Sequence, residues 1–135
     1  MAVFALTSEY TALAGADRSA DIKSSVLTVD AASLDTTDFA SSGWTEMIGG
    51  LKSGTLAITF QDDVASSAVD SILWPLLGTV VTFEVRATSA VVGVSNPKWT
   101  GSVLITGHSI GGAVGELAVK TLSFPTTGAV TRATS

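Results

Sequence analysis

The sequence predicts a mainly β domain: a β-sandwich or barrel of about six to seven strands with one flanking α-helix, over about residues 64–77. Three observations point there. Apolar and polar residues alternate in several short β-branched segments, Gly-, Asp- and Asn-rich clusters separate those segments, and a single stretch carries a helical period instead. No βαβ alternation runs through the chain, so a parallel doubly wound sheet is not expected.

In chain order, Val3–Thr7 is a candidate strand inside a segment, residues 1–8, that reads as an N-terminal arm. Ser25–Ala31 is a weakly patterned strand. Residues 32–52 form the longest stretch without periodicity, punctuated by Asp35-Thr-Thr-Asp38 and Gly49-Gly50, and a loop of that length in a small domain is expected to serve an interface. Leu56, Ile58 and Phe60 alternate with Thr55, Ala57, Thr59 and Gln61, which turns one face inward. Ala65, Val69, Ile72, Leu73, Leu76 and Leu77 then recur at helical spacing; Asp62 or Asp63 can cap the start, and Pro75 and Gly78 bring the helix to an end. Val81, Phe83 and Val85 alternate with Thr82, Glu84 and Arg86 as the second clear strand. After the Ser95-Asn-Pro-Lys98 turn, strands are expected over Thr100–Thr106 and Leu117–Phe124, separated by Gly111-Gly112. Past Thr126-Thr-Gly128 the apolar content falls, and residues 128–135 read as a C-terminal arm.

A chain of 135 residues suffices for one core, so residues 1–135 are read as a single domain. An apolar fraction of 46% with only 14% charged residues describes an ordered protein whose Ser-, Thr-, Ala- and Gly-rich surface suits burial against copies of itself. Cysteine is absent, which removes disulfides and thiolate metal sites. The first residues lack a basic and long apolar leader and no apolar run approaches a bilayer span, so a soluble chain without a membrane partner is expected. Charge is uneven: residues 1–70 carry ten acids and three bases (−7), residues 71–135 two acids and four bases (+2), giving the net −5. Without a basic cluster, tight binding to a phosphate backbone is not expected.

The most conspicuous short motif is Gly107-His108-Ser109-Ile110-Gly111, which matches the G-x-S-x-G elbow of serine hydrolases. That chemistry needs a histidine arriving from a distant loop, yet the single histidine adjoins the serine, and the segment beyond Gly112 returns to strand-like alternation. An esterase is therefore the weakest reading. Asp62, Asp63 and Asp70 are better explained by a helix start than by a hard cation, and Asp30, Asp35 and Asp38 by a solvated turn than by an acid/base pair. His108 has no ligand partners in its neighbourhood, and Trp44, Trp74 and Trp99 suit core or interface packing better than a stacking platform. No cofactor is expected.

Several phrases occur in order: Asp35-Thr-Thr-Asp-Phe39, Gly50-Leu-Lys-Ser-Gly-Thr-Leu56, Gln61-Asp62, Leu73-Trp-Pro-Leu-Leu-Gly78, Phe83-Glu-Val-Arg86, Asn96-Pro-Lys-Trp-Thr-Gly101 and Gly128-Ala-Val-Thr-Arg132. From about residue 20 to 134 the chain thereby resembles the major tail proteins, the tail tube subunits, of siphophages and related actinobacterial prophages. The resemblance implies a sandwich or barrel with a flanking helix, six copies closing into a ring, and rings stacked into a conduit for phage DNA. It implies no catalytic residue. The implied partners are further copies of the chain, the tape measure and tail terminator proteins, and DNA in transient, sequence-independent passage. The implied location is the virion tail, after synthesis in the host cytoplasm. Contacts between rings would map onto residues 32–52, 1–8 and 128–135.

Candidate interface residues are Asp35, Asp38, Phe39 and Trp44 in the loop and Arg86, Lys98 and Arg132 in the basic half, with Lys120 a further cation that can meet an acidic neighbour. The competing readings are a capsid decoration protein, which would associate with capsids, and a small carbohydrate-binding sandwich, which would expose an aromatic platform at Trp44 or Trp99.

Overall fold

A computed structural model describes residues 9–17, 19–61, 69–111 and 113–135. Among the described residues seven strands form an all-antiparallel network: β1 (Tyr10–Leu13), β2 (Ala16–Asp17), β3 (Ile22–Asp35), β4 (Met47–Gln61), β5 (Val80–Arg86), β6 (Lys98–Leu104) and β7 (Val119–Ala133). Their order is β2-β1-β5-β6-β7-β4-β3. Among the described residues one α-helix, α1 (Val69–Leu76), lies between β4 and β5.

β7 holds the architecture together. Its first half pairs with β4, from Val119 opposite Gln61 to Pro125 opposite Thr55, and its second half pairs with β6, from Thr126 opposite Val103 to Ala133 opposite Lys98. Pro125 has no N–H to give, so the ladder with β4 stops where the strand changes partner. Just beyond, Gly128 takes a left-handed φ of +80°, and the ladder skips residues between Thr100 and Ser102 on the facing strand. This bulge bends β7 from one layer into the other.

The alternating residues close the core between the layers. Leu56, Ile58 and Phe60 of β4 are at most 1% exposed, and Val81, Phe83 and Val85 of β5 face them with Leu13, Val103, Ile105, Leu122, Phe124 and Leu73. Gly101 is required by a close approach, since a Cβ there would lie 3.0 Å from the Phe83 ring and 3.3 Å from the Ala129 carbonyl oxygen. The sandwich expectation and the inward faces of the two clearest strands therefore hold.

Several expected boundaries shift. Residues 32–52 are not one loop: 32–35 and 47–52 continue β3 and β4 as the distal half of a long hairpin. Residues 128–133 are not a trailing arm but the second half of β7, because β6 offers them a ladder. Pro75 lies inside α1, within the span expected for the helix, and Gly78, at φ +84°, follows its end. Leu73 enters the core, whereas Trp74 points outward at 63% exposure. The expected start of the helix, its acidic caps and the arm at residues 1–8 lie outside the described residues. β1 and β2, too short to show a period, form one edge of the sheet.

Candidate assembly surface

β3 and β4 pair along their whole length, but only part of that ladder is covered. From Gln61 back to Thr55, β4 lies between β3 and β7; from Gly54 back to Met47 it pairs with β3 alone, and the hairpin runs on as a largely exposed two-stranded ribbon. Fifteen residues of β4 at strand rise span about 50 Å, so the apex is far from α1. Along this distal half Val29, Leu34, Met47, Ile48 and Leu51 are all exposed. A run of bare apolar side chains on a free strand pair marks a surface awaiting a partner.

The apex is ordered by short-range hydrogen bonds. Asp38 caps the 3₁₀ turn Phe39–Ser41, accepting from Ala40 N–H at 2.9 Å, while the Ser41 hydroxyl accepts from Asp38 N–H. Thr37 spans the base of the turn: its N–H donates to Asp35 at 2.8 Å and its hydroxyl accepts from Glu46 N–H at 2.8 Å. Hydrogen bonds from Thr37, first through its side chain and then its backbone, hold the Asp35 carboxyl below its ordinary range. Held in this frame, Phe39 and Trp44 stand in solvent, Trp44 at 79% exposure. Asp35, Asp38, Phe39 and Trp44 are thus brought together, with Glu46 joining them.

The basic candidates gather elsewhere. Arg86 and Lys98 face each other at the end of the β5–β6 ladder, and Arg132 sits opposite Trp99 one rung in. Arg86 pairs with Glu84 at 2.7 Å and lies over the Tyr10 ring at 3.9 Å, and Arg132 lies 5.8 Å from the Trp99 centroid. Lys120 does not belong with them: it occupies an inward position opposite Phe60 and is 2% exposed, which removes it from any external contact.

The Ser109 segment does not form an elbow. It lies in the connection between β6 and β7, exposed, and the described residues beyond it turn at Val114–Gly115 and enter β7 without a helix. His108 packs edge-on against Trp74 with centroids 5.5 Å apart. Asp35 and Asp38 are committed to separate turn amides rather than to each other.

Two solved structures share this fold. A chain from the virion of a native gene transfer agent particle superposes with a TM-score of 0.67 at 20% identity, over 83% of this chain and 84% of that one. A chain from the tail of an empty gene transfer agent particle, determined by helical refinement with C6 symmetry, gives 0.65 at 20% identity over 82% and 81%. No family model and no curated protein matches the sequence. The mainly β fold is therefore shared with both of these chains over most of the length of each.

Sequence reasoning placed the apex residues but missed Val29, Leu34, Met47, Ile48 and Leu51 as a surface. The available signal for Leu34, Met47, Ile48 and Leu51 was the presence of large apolar residues in a stretch, residues 32–52, with neither a helical nor a strand period, which a solvated loop does not need.

Proposed function

We propose that this protein is the major tail subunit of a phage or phage-like particle, self-assembling into stacked hexameric rings that enclose a channel for DNA. The observation that carries this reading is the distal β3–β4 hairpin: an ordered, apolar, two-sided projection that a free monomer would not need and that a neighbour in a ring or tube can cover. The likeness to chains of gene transfer agent virion and tail, one of them in a C6 assembly, supports it. The sparse charge and lack of a basic stripe suit passage of DNA without retention. In this role the chain performs no catalysis, and its other partners are the tape measure and terminator proteins at the ends of the tube.

The test is native mass and negative-stain microscopy across a concentration series. Rings or tubes of sixfold symmetry are expected; a strict monomer at every concentration, or binding to capsids in place of tubes, would move the assignment to a decoration protein. Exposure of Trp44 leaves a carbohydrate-binding module to be tested by glycan titration, where no quenching of tryptophan fluorescence is expected. Trp44 crowns a hairpin apex, and Trp99 is partly buried beside Arg132, so the two do not form a shared platform.

A further inference from the structure

The acidic hairpin apex and the basic end of the β5–β6–β7 layer stand at the same level of the molecule. Thr55 is opposite Pro125; eight residues further along each strand are Met47 (55 − 8) and Ala133 (125 + 8), and Ala133 is opposite Lys98. The bulge near Gly128 takes up two residues of β7 against β6, and the bulge between Lys52 and Gly49 takes up one residue of β4 against β3, so the two ends differ in height by about one strand residue, roughly 3 Å. Past Pro125 β7 pairs with β6 while β4 pairs with β3 alone, with Val29, Lys52 and Ser53 lining a crevice with Thr126 and Gly128–Val130 at the base, so apex and basic end belong to two strand pairs, the two prongs, that run on in the same direction.

The prongs are opposite in charge. Between Ser24 and Leu51 the hairpin carries Asp30, Asp35, Asp38 and Glu46 and no Lys or Arg. The other prong carries Arg86, Lys98 and Arg132 against Glu84 alone, and no acid occurs from Val85 to Ser109. Among the described residues no ion pair within the chain joins the two groups. The guanidinium groups are held in place by Tyr10, Glu84 and Trp99, so little side-chain freedom remains to be lost on docking.

We infer that the apex acids Asp35, Asp38 and Glu46 of one subunit dock on Lys98, Arg132 and Arg86 of a second copy standing beside it in the same orientation. Subunits related by rotation about a common axis keep each feature at constant height, so a strand axis roughly along the ring axis brings one subunit's acidic prong to its neighbour's basic prong. Stacking end to end would instead set the apex against the opposite pole, where α1 and the connection between β6 and β7 lie. This contact is therefore lateral, within a ring. Phe39 and Trp44 supply apolar area at the centre of the contact and the charges its register.

The inference rests on the ring reading, and charge exchange separates the two. Glu46→Lys and Lys98→Glu are made singly and together, and assembly is followed by native mass at low and high salt, with circular dichroism verifying the fold of each variant. Neither side chain is in the core. The expected result is that each single variant needs at least about tenfold higher concentration to form rings, that the double variant recovers, and that salt weakens wild-type rings. If the wild type forms rings and folded single variants form them equally well, or the double variant fails to recover, this contact falls and the ring reading stands. Dimers without larger species would replace the lateral contact with a two-fold one and overturn it. A wild type that never associates overturns both.

Discussion

The two halves of β4 share one backbone ladder and differ in almost everything else. From Thr55 to Gln61 the strand is flanked on both edges and its inward side chains are sealed; from Met47 to Ser53 it has β3 on one edge and is largely exposed. The ladder with β3 is thus common to the two halves, whereas the second ladder, to β7, and apolar burial, about 25 cal/mol per Å², accrue only to the first. An isolated two-stranded ribbon is marginal in water. The distal half keeps its form by continuity with the body, by the cap at Asp38 and the Thr37 bridge, and, on the proposed function, by neighbouring subunits.

That contrast can be broken from either side. The largest effect is expected in the body: Phe124→Ala removes a fully buried ring at the junction of the layers and should cost about 3–5 kcal/mol in chemical denaturation. Gly101→Val comes next, since its Cβ meets the Phe83 ring at 3.0 Å, and about 1–3 kcal/mol is expected with the melting temperature as readout. In the hairpin, Asp38→Ala removes the cap of the apex turn at about 1 kcal/mol or less, detected as faster amide exchange at Ala40 rather than as global unfolding. Leu51→Ser should change monomer stability by under about 0.5 kcal/mol yet impair ring formation, because Leu51 is 88% exposed in the monomer. Smallest is a pH effect at Asp35. Its carboxyl is shifted down from 3.8, so its contribution to the turn is fully present above that value and is lost as pH falls through the lower, folded value. Loss of the Thr37 amide shift only below about pH 4 would show it; a transition above that range would contradict the assigned hydrogen bonds.

The same contrast explains what was legible in the sequence. Leu56, Ile58, Phe60, Val81, Phe83 and Val85 announce themselves because one face of each strand is buried and the other is wet, which is the condition for a period of two. The distal hairpin and the second half of β7 lack that asymmetry. Ala129–Ala133 and Met47–Ser53 are exposed or half-exposed on both faces, so their strand state comes from a partner ladder that local pattern does not encode. Lys120 misleads for the opposite reason: a cation in a strand is expected outside, and its position opposite Phe60 turns it inward. Asp35 and Asp38 were legible as turn residues, since their side chains act on amides two residues away. The gathering of Arg86, Lys98 and Arg132 was not, because it depends on the pairing of three strands distant in sequence.

The central claim, that the distal hairpin is an interface rather than an ornament, is tested most directly by amide hydrogen exchange on dilute monomer and on the assembled state. The account predicts that amides of residues 29–53 exchange much faster in the monomer than those of Leu56–Phe60 and become strongly protected on assembly, with the body little changed. Equal exchange of the hairpin in both states, with protection appearing only on the body, would contradict it.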